Sequence, residues 1–106
     1  DSMATRKEIW QAIRFNPYVE IYIDARMGGE VARIHTIDPS DLDQITWYEK
    51  TLYPEGMDVP CTARAIIYNV FMIAALVANQ VKKFVSGEEL KREIIFDLRT
   101  LSLLTQ

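Results

Sequence analysis

One run of apolar residues, Ala65–Ala78 (AIIYNVFMIAALVA), sets the terms for the rest of the chain. A bilayer-spanning helix needs about 20 such residues, so this run is too short to cross a membrane. Asn69 interrupts it, and Asn79 and Gln80 close it. It therefore has to be covered by protein. Ile66, Val70, Ile73, Val77 and Val81 recur at helical spacing, and Phe71, Ala74, Ala75 and Ala78 widen the apolar surface. The pattern predicts a long helix from about Ala63 to Val85, buried on most sides. Lys82 and Lys83 suit its last turn, where the helix dipole favours cations, and Gly87 suits its stop.

The rest of the chain has to cover that helix. A length of 106 residues with 49% hydrophobic residues suits one compact unit, residues 1–106, with a small core. Ser2–Phe15 reads as a helix capped by Ser2, with Ile9, Ala12 and Ile13 on one face. Asn16-Pro17 stops it, because the residue before proline avoids helical backbone. Tyr18–Asp38 holds two β-rich runs around Met27-Gly28-Gly29, which predicts an antiparallel hairpin. Val19, Ile21 and Ile23 share one face of its first strand, and Glu20, Tyr22 and Asp24 the other. Ser40 or Asp41 can cap a short helix, Leu42–Thr51, followed by a loop over Tyr53–Thr62. Arg92–Leu104 reads as a strand bulged near Thr100 or as two short strands. The fold class is α/β: a largely antiparallel sheet of hairpin and C-terminal strands with a long buried helix.

Composition excludes several functions. Twelve Lys and Arg are scattered among fifteen Asp and Glu, which gives no nucleic-acid footprint. A single cysteine, Cys61, excludes an internal disulfide and a cysteine-rich zinc site. A lone thiol fits a reducing compartment, so the cytoplasm is expected. Asp1 to Glu8 is polar and mixed in charge, unlike a signal peptide. No glycine-rich turn follows a strand and opens a helix, so the sequence carries no phosphate cradle of its own.

Candidate site residues are few. Asp1, at the entrance of a helix, can hold a divalent cation or simply favour the helix dipole. Cys61 sits just before the long helix, where free N–H groups stabilise a thiolate; the competing reading is a small apolar residue. Arg64 either adds positive potential there or is a solvated charge. His35 lacks a metal-type partner nearby in sequence and reads as a strand histidine without a chemical role. Asp24 and Arg26 read as a structural ion pair. Asp41, Asp43, Glu49, Glu88 and Glu89 read as helix-start or solvated charges. Trp47, Tyr48 and Tyr53 read as packing under the loop, with a protein-binding patch as the competing reading.

The order of the pieces adds a resemblance. DSMATRKEIW, then YIDARMGGE, YEKTLYPE, PCTARAIIYN and an Ala-rich helix ending in VKKFVSG resemble, in that order, the ThiF/MoeB/HesA family, relatives of the ubiquitin-activating enzymes. The similarity runs from Asp1 to about Leu104. It implies the C-terminal half of a Rossmann-like adenylating domain, whose nucleotide-binding half lies elsewhere. Such enzymes use ATP and magnesium to activate the C-terminal glycine carboxylate of a ubiquitin-like or sulfur-carrier protein as an acyl-adenylate. By the family pattern Asp1 is the magnesium-side, cofactor-binding carboxylate. Cys61 lies where some members carry a cysteine able to form a thioester or acyl-disulfide with the carrier. Arg6 matches the pattern as a residue that orients the helix. Tyr48 and Thr51 replace the family's first zinc-binding cysteine pair, so no zinc is expected. This chain alone is expected to be inactive and to form a homodimer or swapped pair. The competing function is a non-catalytic interaction module, paired with another subunit through hairpin and long helix.

Overall fold

A computed structural model describes residues 2–54 and 67–106. The described elements are α1 (Met3–Ile13), β1 (Tyr22–Gly28), β2 (Val31–Ile37), α2 (Leu42–Glu49), α3 (Ile67–Val85), β3 (Glu93–Asp97) and β4 (Ser102–Thr105). The fold is α/β, with the strands forming one sheet in the order β1-β2-β3-β4. The β2–β3 and β3–β4 pairs are antiparallel, and the two-residue connection of β1 to β2 makes that pair antiparallel as well. The chain divides into two compact units, one containing residues 2–22 and 37–54, the other 23–36 and 67–106.

The first unit is built on rings. Ser2 caps α1 by accepting from the Thr5 N–H at 3.2 Å, as its position in the sequence predicts. The helix ends at Ile13, short of Phe15. Phe15 takes a left-handed backbone (φ 61°), strained for a bulky residue, and its N–H donates to the Pro39 carbonyl at 2.8 Å. The expected apolar face of α1 is corrected in part: Ile13 packs against the core, but Ile9 is about half exposed, Ala12 is exposed, and the buried residues are Met3 and Trp10. Three aromatic rings decide this. Trp10 lies 4.6 Å from Tyr48 and 5.6 Å from Tyr22, and Tyr22 meets Tyr48 edge-on at 5.6 Å. Ile37 and Ile45 complete the core. Asp41 caps α2, accepting from the Gln44 N–H at 3.2 Å. Glu49, expected to be a solvated charge, instead accepts from Trp10 Nε1 at 2.8 Å and pairs with Arg14 at 3.2 Å.

The second unit holds most of the sheet together with α3. Gly29, with φ 60°, is the first turn residue of the hairpin, the position where a type II′ turn needs a positive φ. The C-terminal segment resolves into two strands rather than one bulged strand. Between them Asp97 Oδ1 accepts from the N–H groups of Arg99 and Thr100, and Leu101 turns the chain with φ 56°. Ala32, Ile34 and Ile94 are buried on one face of the sheet. Helix α3 is fastened at both ends. Near its start Asn69 Nδ2 donates to the Gly29 carbonyl at 2.9 Å, and Tyr68 donates to Glu30. Near its finish Gln80 Oε1 accepts from the Lys91 N–H at 3.3 Å. Gly87 (φ 70°) stops it in a Schellman pattern, with Glu88 N–H on the Lys83 carbonyl and Gly87 N–H on the Phe84 carbonyl.

The expectation of a helix buried on most sides is overturned for the described part of α3. Its buried residues are the polar Asn69 and Gln80, while Ile67 (68%), Phe71 (67%) and Val85 (78%) are largely exposed. A helix buries only the arc that faces its neighbours, and apolar residues around the whole circumference leave the remaining arc uncovered. Ile67, Phe71, Ala74, Ala78, Val81 and Val85 follow one another along that exposed side at helical spacing.

Candidate functional site

Asp1 and Cys61, the residues singled out for chemistry, lie outside the described residues, as does Arg64. Arg6 lies in α1, where its N–H donates to the Ser2 carbonyl at 3.1 Å. Among the described residues no group of three His, Cys, Asp or Glu side chains can hold a metal ion. No described helix is long and apolar enough to cross a membrane.

Chemistry-bearing residues do converge on the polar face of the sheet. Strand register places His35 on β2 opposite Glu93 on β3. His35 Nε2 and Glu93 Oε2 are 2.9 Å apart, and the imidazole is fully buried. On the other side His35 Nδ1 lies 3.9 Å from Asp24 Oδ2 on β1. Arg26, two residues along the same face of β1, binds that oxygen through Nε at 2.9 Å and Nη2 at 2.8 Å. The Asp24–Arg26 pair read from the sequence is therefore present. Arg33 Nη1 approaches Glu93 Oε2 at 3.9 Å. Asp24 and Glu93 are themselves buried (5% and 7% exposed).

Burial holds the His35 pKa below its ordinary value, with Arg26 adding to the effect, against the pull of Glu93 and Asp24. The imidazole is thus neutral near pH 7. A carboxylate partner only accepts, so Nε2 carries the hydrogen and donates it to Glu93. Buried charges are tolerated when they are paired, and here Asp24 is paired with Arg26 and Glu93 with the ring. Fully buried, His35 offers no surface to a substrate, so its position suits organisation of the sheet rather than general-base catalysis. No motif links His35 to Glu93 as its partner: the two are 58 residues apart. Glu93 alternates with Ile94 in a β-rich run, which is the only local sign that it points to a face of its own.

No family model, no curated protein and no solved structure matches this chain.

Proposed function

We propose that this chain is the C-terminal half of a ThiF-type adenylating domain. It would work with a nucleotide-binding half to activate the C-terminal glycine carboxylate of a ubiquitin-like or sulfur-carrier protein. The order of the motifs over the whole chain carries the reading: DSMATR, YIDARMGGE, YEKTLYPE, PCTARA and the Ala-rich helix. Two structural features support it. The described elements follow the expected succession of helix, hairpin, short helix, long helix and C-terminal strands. The uncovered apolar side of α3 and the exposed leucines Leu101, Leu103 and Leu104 at the β4 edge are surfaces a neighbouring body would bury.

In the proposed reaction the carrier carboxylate attacks the α-phosphate of ATP, giving the acyl-adenylate and pyrophosphate. Cys61, as thiolate, then attacks the acyl carbon and displaces AMP to leave a thioester. Asp1 is assigned to the magnesium side of the nucleotide. Phosphate binding is assigned to the other half, because this sequence has no glycine-rich turn that follows a strand and opens a helix.

Carrier-dependent ATP–pyrophosphate exchange tests the proposal. This chain alone is expected to show none. A polypeptide joining it to a half with a glycine-rich strand-to-helix loop is expected to show it, and Asp1→Asn in that polypeptide to lower it by about 100-fold. Exchange by this chain alone, or none by the joined polypeptide, overturns the proposal. The uncovered side of α3 also favours the competing reading, a non-catalytic module that associates through this helix. A coding sequence upstream that lacks any glycine-rich nucleotide loop would select that second reading.

A further inference from the structure

The exposed apolar side of α3 carries a pattern of its own. Ile67, Phe71, Ala74, Ala78, Val81 and Val85 follow one another at intervals of four, three, four, three and four residues. Helices that pair side by side repeat apolar residues in this alternation, whereas a helix face turned to a protein core is wider. The order also reads the same from either end, with larger side chains outside and two alanines in the middle. A copy of the helix laid against it end for end sets Ile67 against Val85, Phe71 against Val81 and Ala74 against Ala78. Such self-complementarity is what a two-fold interface between identical chains requires. The central alanines allow the two backbones a close approach where the helices cross.

Charge complementarity selects the same occupant and the same orientation. None of the six stripe residues is charged. At the start of α3 Tyr68 donates to Glu30, and Lys82 and Lys83 stand in the last turn. Tyr68 and Lys82 each lie one residue past a stripe member, so they share one flank of the helix. End-for-end pairing brings like flanks together, and Lys82 of one copy then meets Tyr68 and Glu30 of the other, twice over by symmetry. The Lys82 side chain also bonds Glu88 but stays 66% exposed. A parallel pair would instead gather both acidic ends and align the two helix dipoles in one sense. We propose that α3 is a homodimer interface, packed antiparallel on α3 of a second copy about a two-fold axis at the level of Leu76. A stripe of six positions, two of them alanine, is smaller than the roughly 800 Å² per partner of a standard stable interface, so the copies separate on dilution. The pairing needs neither nucleotide nor carrier protein, so it stands or falls independently of the proposed reaction.

Sedimentation equilibrium of the full chain, from micromolar to millimolar concentration, reads the pairing. The expected result is a monomer–dimer equilibrium without larger species. Phe71→Glu should weaken it about 100-fold, and Val81→Glu at the opposing position by a similar factor. Lys82→Glu should weaken it about fivefold, and adding Glu30→Lys should restore it, a rescue that a purely structural role of either residue would not produce. Proton NMR fixes the orientation. Phe71 and Val81 are about 15 Å apart along one helix, so a nuclear Overhauser contact between them can arise only between copies. That contact, with one between Ile67 and Val85, is expected in the dimer. A monomer at every concentration, a dimer that both Phe71→Glu and Val81→Glu leave intact, a dimer without the Phe71–Val81 contact, or no rescue by Glu30→Lys overturns the proposal. Both glutamate variants change exposed positions, so either one decides if the other fails to fold.

Discussion

The aromatic core around Trp10 and the charged row around His35 are both buried, yet they are held by opposite physics. Trp10, Tyr22 and Tyr48 gain stability from area removed from water and from tilted and edge-on ring contacts, terms that do not depend on pH. Asp24, Arg26, His35 and Glu93 gain little from being buried; their arrangement is retained because removing any one member breaks an ion pair or hydrogen bond of another. The first kind of core tolerates approximate shape. The second fixes register, since a slip of one residue would take His35 away from Glu93.

Truncation at each centre tests the contrast most severely. Trp10→Ala should cost about 4 kcal/mol by leaving a cavity at the ring cluster, read as a lower urea midpoint. Glu93→Ala should cost about 3 kcal/mol by leaving His35 and Arg33 without their carboxylate, and Glu93→Gln should recover part of that. A Glu93→Ala chain as stable as the parent would mean that the row contributes nothing.

The pH dependence sharpens the same comparison. The folded His35 pKa is lowered, so the unfolded chain takes up the proton first as pH falls. The stability that comes from keeping His35 neutral is complete above about 6.5 and is lost as pH drops through 6.5 toward the depressed folded value. Urea unfolding at pH 7.5 and 5.5 should show this decline, and His35→Gln should flatten it. Trp10→Ala should lower stability at both pH values while leaving the slope intact.

The smallest expected effect on stability is at α3. Phe71→Glu on its exposed side should change the unfolding free energy by less than about 0.5 kcal/mol, because little is packed there to lose. It should nevertheless abolish association of the isolated chain, measured by light scattering. A monodisperse monomer at high concentration before substitution would remove the expectation that this helix seeks a partner.

Local signals in the sequence are read correctly where the physics is local. Ser2 and Asp41 cap helices three residues ahead, Gly29 makes the hairpin turn, and Gly87 stops α3. Asp24 and Arg26 pair two residues apart along one strand face. The reading of α1 holds at Ile13, which packs against the core, and fails at Ile9 and Ala12, because the bulk of Trp10 outweighs them once Tyr22 and Tyr48 are available. Asp1 and Cys61, singled out by their helix-start positions and by the resemblance, fall outside the described residues, and the cluster that is described carries no local motif.

The caps at Ser2 and Asp41, the hairpin turn at Gly29 and the helix stop at Gly87 were readable from the chain alone, because caps and positive-φ glycines act within a few residues of themselves. Which side of each element is covered was settled by the packing of the folded chain. It brought Glu49 to Trp10 across 39 residues and Glu93 to His35 across 58, and it left the apolar side of α3 exposed. Those outcomes depend on what lies opposite in space, and spacing along the chain carries no record of that.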